Sequence, residues 1–199
     1  MVAPGSNRRL SPEDLSRLDR PFHGGSVFLA QLETPLETVQ NGLKAARKEG
    51  LFTVLDPAPS RELPEAIYPL LDLITPNERE ATDLTGVEVD SPETAREAGR
   101  ILLRRGCGAA MITLGGRGAL FCHGEEAELI PAHSVRTVDT VAAGDAFNGA
   151  LASALSEGSP IRQAARFAAA AAALSTTRPG AQTSLPDREE IEALVSPSR

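Results

Sequence analysis

Two aspartates flank a run of small residues in the segment Asp139-Thr-Val-Ala-Ala-Gly-Asp-Ala-Phe147. Ala142, Ala143 and Gly144 carry almost no side chain, so their backbone N–H groups can approach a ligand closely and point at an anion where a helix begins. Asp145 would repel a phosphate in that cradle unless it takes a proton from an incoming nucleophile. An anion hole beside a base indicates transfer of a phosphoryl group to an alcohol.

The sequence around these residues must position them. Residues 138–155 are typical of the end of a strand, a short loop and the first turns of a helix, and apolar residues recur at helical spacing from Phe147 until Gly158. The same pattern fits a buried strand-to-helix turn in which Asp145 only caps the helix.

Strand-like and helical segments alternate along the chain. The apolar runs predicted as strands lie at 26–31, 51–56, 71–75 and 109–114. The first of them is predicted to be buried on both faces. The helix after it is predicted to have Thr34 as N-cap, Pro35 at its first position and Glu37 completing a capping box, and another helix begins at Ser91-Pro92. This alternation predicts an α/β fold with a mainly parallel sheet and helices on both faces.

Two shorter segments complete the pattern. Residues 2–5 are typical of the tail of a strand. Three glycines in the segment Gly115–Gly118 favour a tight turn with close backbone approach, and residues 119–122 and 128–130 after it predict a β-hairpin. A dinucleotide fingerprint needs a helix at that point, so the hairpin argues against an NAD-dependent oxidoreductase.

The composition predicts one globular domain that covers residues 1–199. Of the 199 residues, 41% are hydrophobic and 24% are charged, and the formal net charge is −7. There is no basic stripe, so nucleic acid is not an expected partner. No apolar run is long enough to cross a bilayer, and no leader pattern is present. Cys107 and Cys122 have neither metal nor disulfide spacing, which predicts a cytoplasmic protein with reduced thiols.

The segment from Asp139 to Phe147 resembles the C-terminal signature of the ribokinase-like (PfkB) carbohydrate kinases, and the resemblance extends over nearly all of the chain from Val2 onward. It implies a ribokinase-like α/β fold and transfer of the γ-phosphoryl group of ATP to the 5-hydroxyl of D-ribose. Asp145 would be the base and Mg²⁺ would bridge the phosphates. Another sugar kinase of the family, such as a fructokinase, and a nucleotide-binding fragment without turnover remain alternatives.

The resemblance also assigns binding residues. Glu33, at the carboxyl end of a predicted strand, would contact the sugar together with Asp145. Asn77 and Glu80 match the family's Asn-x-x-Glu motif near the triphosphate, with Glu80 acting on Mg²⁺ through water. By itself this pattern fits an Asn cap followed by a surface glutamate. The residues implied for ATP binding are Asn77, Thr113, Leu114, Gly115, Gly116, Arg117, Gly118, Gly144 and Asp145.

A monovalent cation, usually K⁺, is implied by the same resemblance. In the family, a loop after the penultimate helix encircles it, and a loop rich in Gly, Ser and Thr offers oxygen ligands without bulky side chains. The residues that would contribute, largely through backbone carbonyls, are Asp139, Val141, Ser175, Arg178, Gly180 and Ser184.

The chain departs from the family pattern in two places. The family has a portion before the position matching Val2, with a glycine-rich sugar motif and a small lid sheet, and these 199 residues contain no counterpart to it. The sheet is therefore expected to expose an apolar edge, which a second copy of the chain or a complementing N-terminal part could cover. The second departure is Ala169, where many members have His or Asn against the nucleotide.

Overall fold

The computed structural model describes residues 5–17 and 22–195, and these form a six-stranded sheet with helices around it. The strands lie in sequence order across the sheet: β1 (Val27–Ala30), β2 (Phe52–Leu55), β3 (Leu73–Ile74), β4 (Ala110–Thr113), β5 (Ala119–His123) and β6 (Glu126–Ile130). β1 to β4 are parallel, whereas β5 and β6 pair antiparallel to their neighbours. The predicted α/β fold with a mainly parallel sheet is confirmed.

Helices connect the strands and follow them. Within the described residues the α-helices are α1 (Pro12–Arg17), α2 (Leu36–Lys48), α3 (Glu78–Thr85), α4 (Pro92–Arg104), α5 (Ala143–Ser156), α6 (Ile161–Ser175) and α7 (Arg188–Val195). Short 3-10 segments lie at Gly5–Arg9, Glu65–Leu70, Gly115–Arg117 and Gln182–Ser184. No helix in residues 5–17 and 22–195 has both the length and the apolar character needed to cross a membrane.

The sheet has a hydrophobic core on each face. Successive side chains of a strand point to opposite faces of the sheet, so residues next to each other in one strand pack in different cores. Val54 and Leu73 pack in the core that α5 and α6 cover, whereas Leu55 and Ile74 pack in the core that α2, α3 and α4 cover. Helices on both faces, as predicted, leave little of the central strands exposed to water.

Several local predictions are confirmed. Ser91 is the N-cap of α4, and its hydroxyl accepts a hydrogen bond from the Thr94 N–H at 3.2 Å within a capping box. β5 and β6 form the predicted hairpin. The helix that carries Phe147 ends before Gly158, which has a φ of +82°. The strand tail predicted at residues 2–5 falls almost entirely outside the described residues, and Gly5 begins a 3-10 segment.

The predicted capping box at the start of α2 is wrong. The helix begins at Leu36, its N-cap is Pro35, and no side chain caps it. Because the first helical residue lies one position later than predicted, Thr34 is too far from the free N–H groups of the first turn. The carbonyl of Pro35 accepts the first bonds instead, from the N–H groups of Thr38 and Val39.

Two strand predictions also need correction. β1 is not buried on both faces, since it lies at the edge of the sheet with β2 as its neighbour there, and Leu29 is 37% exposed. No strand ends at Val138. That residue is exposed, and the N–H groups of Val138 and Asp139 donate to the carbonyl of Thr176 just after α6, at 2.7 and 3.1 Å. The segment pairs with a helix end rather than with the sheet.

The two thiols are buried. Cys107 and Cys122 are not linked to each other, in agreement with the prediction of reduced cysteines. Burial raises the pKa of Cys107 to about 12 and that of Cys122 to about 11, so both stay protonated at neutral pH. They act as core residues.

Candidate active site

The carboxyl ends of the parallel strands and the start of α5 meet at one edge of the sheet. Gln31 follows β1 and Asp56 follows β2, and both face the first turn of α5 across a cavity of about 480 Å³. Open α/β sheets bind their ligands at this edge. Besides these two residues, the polar side chains of the lining are Asn7, Glu33, Thr34, Thr38, Asp145 and Asn148.

The first turn of α5 has an unusual backbone. Ala142 is its N-cap and adopts a φ of +63°, which is uncommon for a residue with a side chain. The Ala143 N–H donates to the carbonyl of Thr140 at 3.3 Å. The N–H groups of Ala142 and Gly144 have no acceptor within residues 5–17 and 22–195. Two of the three N–H groups of the predicted anion hole are therefore available to a ligand.

Asp145 does not cap its own helix. It is the third residue of α5, and its exposed carboxylate accepts a hydrogen bond from the Gln31 side-chain amide at 3.0 Å. The alternative interpretation of Asp145 as a helix cap is therefore wrong, because its carboxylate bonds across to β1. This orientation presents a carboxylate to the cavity, as a general base requires.

Asp56 and Asn148 lie deeper below Asp145. The Asn148 amide nitrogen donates to Asp56 Oδ2 at 3.0 Å, and the Ala58 N–H donates to Asp56 Oδ1 at 3.2 Å. Burial, together with the charge of Glu80, raises the pKa of Asp56 to about 6. Asn148 Oδ1 is buried and has no hydrogen-bond partner in the described part of the chain.

Glu33 lines the same cavity. Its side chain is exposed, and one carboxylate oxygen accepts a hydrogen bond from the Asn7 amide at 3.2 Å. The structure thus brings Glu33 and Asp145 to one cavity, as the sugar-binding prediction requires, with the apolar wall formed by Leu10, Leu15, Phe28, Leu29, Ala30 and Val39.

Asn77 and Glu80 bond to each other at the start of α3. Asn77 Oδ1 accepts from the Glu80 N–H at 2.9 Å, and the Asn77 N–H donates to Glu80 Oε2 at 2.8 Å. The interpretation of Asn77 as a helix cap is confirmed, but Glu80 is buried and not a surface glutamate. Burial raises the pKa of Glu80, while its bonds to Asn77 oppose that shift.

Seven of the nine residues predicted to bind ATP lie together at Asn77 and residues 113–118. Asn77 forms an isolated parallel bridge to Thr113, the last residue of β4. The turn 115–118 follows directly, closed by a bond from the Leu114 N–H to the Gly118 carbonyl at 2.7 Å. These seven residues do not line the cavity that holds Glu33, whereas the other two, Gly144 and Asp145, belong to the first turn of α5, and Asp145 lines that cavity. The structure thus divides the predicted nucleotide residues into two groups.

Arg117 is engaged within the protein. Its guanidinium forms an ion pair with Glu78 of α3 and a hydrogen bond to the Asp90 carbonyl. The side chain thus ties the turn to the start of α3 and to the residues before α4.

The predicted cation loop closes around Asp139. Asp139 Oδ1 accepts from the Val141 N–H and Oδ2 from the Gly180 N–H, each at 3.0 Å, and these two bonds lower the pKa of Asp139. Ser175 and Ser184 instead bond their hydroxyls to carbonyls within their own turns, and Arg178 forms an ion pair with Glu190. Both oxygens of the Asp139 carboxylate therefore bind N–H groups of the loop, and a monovalent-cation site at these residues stays a prediction. The described residues hold no cluster of three or more His, Cys, Asp or Glu that could bind a metal.

Three residues of the site were not predicted: Gln31, Asp56 and Asn148. Each had a usable signal in the sequence. Gln31 and Asp56 are polar residues directly after predicted parallel strands, where ligand sites lie. Asn148 follows Asp145 by three positions and so shares its helix face.

The comparisons with known proteins identify the family and agree with the fold. The family model described as pfkB family carbohydrate kinase matches residues 9–188, and the chain belongs to this family. It is 40% identical to ribokinase of Haemophilus influenzae over 190 residues, which are 96% of this chain and 62% of that protein.

Two solved structures show the same fold. Ribokinase from Thermotoga maritima matches with a TM-score of 0.86 and 38% identity, covering 98% of this chain and 64% of the other. Arabidopsis thaliana ribokinase complexed with ribose and ATP matches with a TM-score of 0.90 and 29% identity, covering 100% and 65%. The chain therefore spans slightly less than two thirds of the length of these relatives.

Proposed function

We propose that this chain carries the phosphoryl-transfer site of an ATP-dependent sugar kinase that converts D-ribose to D-ribose 5-phosphate. The observation that carries the proposal is the carboxylate of Asp145 in the first turn of α5. It faces Glu33 across a cavity and lies beside N–H groups that have no acceptor in the described residues. A base next to an anion hole is the arrangement that transfer to an alcohol requires.

Each group of residues would have a separate role in the transfer. Asp145 takes the proton of the sugar hydroxyl as the oxygen attacks phosphorus. The N–H groups of Ala142 and Gly144, at the positive end of the α5 dipole, hold the charge that develops on the transferred group. Glu33 orients the sugar, and Asn77 with the turn 115–118 holds the nucleotide. Orientation of this kind lowers the barrier by several kcal/mol.

Metal ions would support this arrangement. When bound, Mg²⁺ would supply positive charge that neutralises the phosphates. Glu80 is the residue that would hold it through water, because its carboxylate is fixed by Asn77 and does not need to reach the ion directly. Asp139, with the carbonyl of Val141, would bind K⁺ and thereby fix the loop that leads into α5.

The proposed substrate, D-ribose, is inferred from the proteins to which this chain is similar. The Arabidopsis enzyme is described with ribose and ATP, and the Haemophilus relative is a ribokinase. A fructokinase-like sugar kinase shares the same motifs and is the first alternative. The open edge at β1, with Leu29 exposed, favours a second alternative, in which the chain binds nucleotide and needs a complementing part or a second copy to bind sugar.

The test is ATP-dependent phosphorylation of D-ribose, 2-deoxy-D-ribose and D-fructose by the purified chain with Mg²⁺ and K⁺. We expect turnover on ribose, and we expect Asp145→Asn to lower kcat by about 100- to 10,000-fold while calorimetry shows unchanged ATP affinity. Asp187→Asn is the matched control, because Asp187 also lies at the start of a helix but caps α7.

Each outcome separates the alternatives. Higher turnover on fructose than on ribose supports the fructokinase-like sugar kinase. ATP binding without turnover on any of the three sugars supports the second alternative, in which the chain binds nucleotide and needs a further part to bind sugar. An Asp145→Asn variant within tenfold of the wild-type kcat contradicts the role of Asp145 as base.

A further inference from the structure

Two hydrogen bonds join α5 to the residues that follow β1 and β2. Gln31, just after β1, donates to Asp145 at 3.0 Å. Asp56, just after β2, accepts from Asn148, three residues after Asp145 on α5, at 3.0 Å. The helix is thus held at two points, at Asp145 by Gln31 and three residues further on by Asp56.

Asp56 is the buried one of these two contacts. The residue is 6% exposed, and its carboxylate accepts the N–H groups of Ala58 and Asn148. The charged groups that act on its pKa, the carboxylates of Glu80 and Asp145, are like charges that raise it. A buried carboxylate in such surroundings is costly to keep, and such exceptions concentrate at functional sites.

Asn148 depends on Asp56 for its position. Its Nδ2 bond to Asp56 is the amide's hydrogen bond in the described residues, since its buried Oδ1 has no partner there. Removal of the Asp56 carboxylate would leave the whole buried amide unsatisfied. The amide would then turn or move, and α5 would shift with it.

We propose that Asp56 is a positioning residue for Asp145. Its carboxylate holds the amide of Asn148 and thereby fixes α5 three residues beyond Asp145, while Gln31 bonds the Asp145 carboxylate directly. Asp56 acts through Asn148 and not on the reacting atoms. The ordering of the Asn148 amide is independent of any activity, whereas the catalytic consequence rests on the proposed function.

A small displacement of α5 would have a large effect at Asp145. Asp145 must meet a hydroxyl within hydrogen-bond reach, and a displacement of about 1 Å at such a group costs on the order of 100-fold in rate. A loss of positioning lowers kcat and leaves ground-state binding of ATP nearly unchanged, because Asn77 and Thr113, which are proposed to hold the nucleotide, do not line the cavity that Asp56 lines.

The experiment compares Asp56→Ser, Asp56→Asn and the control Asp72→Ala in the full 199-residue chain. Serine is too short to reach Asn148. Asparagine still pairs with Asn148, whose amide can turn to present its free Oδ1. Asp72 is a carboxylate at the opposite end of the sheet that binds the Thr53 N–H at 2.8 Å. Asn148→Leu, which removes the same hydrogen bond from the side of α5 at similar side-chain size, covers the case in which Asp56→Ser does not fold.

Two readouts are used. The first is ¹⁵N relaxation of the Asn148 side-chain amide by NMR. We expect this amide to be rigid in the wild type, Asp56→Asn and Asp72→Ala, and mobile in Asp56→Ser. The second is kcat and KM. We expect Asp56→Ser and Asn148→Leu to lose 10- to 100-fold in kcat with the KM for ATP within twofold, and Asp56→Asn to stay within tenfold of wild type.

The outcomes distinguish this proposal from the proposed function. If the wild type shows no turnover, the proposed function of the isolated chain fails, and the relaxation data alone decide whether Asp56 orders the Asn148 amide. A rigid Asn148 amide in Asp56→Ser overturns the positioning role. So does a kcat in Asp56→Asn that is as low as in Asp56→Ser while the Asn148 amide stays rigid, because the charge and not the hydrogen bond would then matter.

Discussion

Replacement of Gly118 by alanine should destabilise the fold far more than replacement of Gly116 two residues earlier in the same turn. Gly118 has a φ of +104° and a ψ of −139°, which residues with a side chain rarely adopt. A Cβ built there would lie 2.0 Å from the Ile130 carbonyl oxygen and 2.7 Å from the Ala132 N. Both are backbone atoms at the end of β6, so the hairpin itself would have to move.

The magnitude follows from two costs. Holding an L-residue in this backbone region costs about 1–3 kcal/mol, and overpacking against backbone costs about as much again. We expect the free energy of unfolding of Gly118→Ala to fall by about 3–5 kcal/mol, a large share of the stability of an ordinary domain. A Cβ at Gly116 meets no atom within 4 Å, so Gly116→Ala should stay within about 1 kcal/mol of wild type.

The assay is urea unfolding followed by far-UV circular dichroism. With a slope of about 2 kcal/mol per molar urea, the Gly118→Ala midpoint should lie about 2 M below that of Gly116→Ala. If the two midpoints differ by less than 0.5 M (roughly 1 kcal/mol at that slope), the turn yields easily and the close approach at Gly118 does not matter for stability.

Three further predictions concern stability. The pKa of Asp56 is raised from 3.8 to about 6, so between these pH values the folded state binds a proton that the unfolded state has lost. The free energy of unfolding should therefore fall by about 2 kcal/mol from pH 4 to pH 8. Asp56→Asn should remove this loss, as measured by urea titrations at both pH values. Gly99→Ala places a Cβ 2.5 Å from Cys122 Sγ, which should cost about 1–3 kcal/mol in thermal unfolding and be relieved by Cys122→Ala. Ser91→Ala should cost about 1 kcal/mol, and Ser91→Gly less, in the same scans.

The sequence was sufficient wherever the determinants are local. The alternation of apolar runs with helical segments predicted the sheet and its two covered faces, and α4 begins after Ser91 as the Ser91-Pro92 pair predicted. The hairpin after Gly118 was predictable because glycines precede two short apolar runs. At the site, the position of Glu33 after a parallel strand follows from the local pattern, whereas its pairing with Asp145 was implied by the resemblance to the PfkB kinases.

The rest depended on contacts that no local pattern encodes. Val138 lies in a segment whose sequence is typical of a strand end, but its N–H donates to the carbonyl of Thr176 after α6. The exposure of Leu29 depends on which strand occupies the edge of the sheet. Asp56 lies directly after a predicted strand, yet its bond to Asn148 joins residues 92 positions apart and is visible only in three dimensions.

The strand order has a consequence for how the molecule assembles. Every strand pairs with its neighbour in sequence, so the sheet can grow by short loop closures. The bonds of the site are different, because Gln31 and Asp145 are separated by 114 residues and meet only when α5 docks across β1. Contacts of such separation form late. During refolding, secondary structure should therefore recover before the site does, which makes catalytic competence a reporter of the completed fold rather than of its parts.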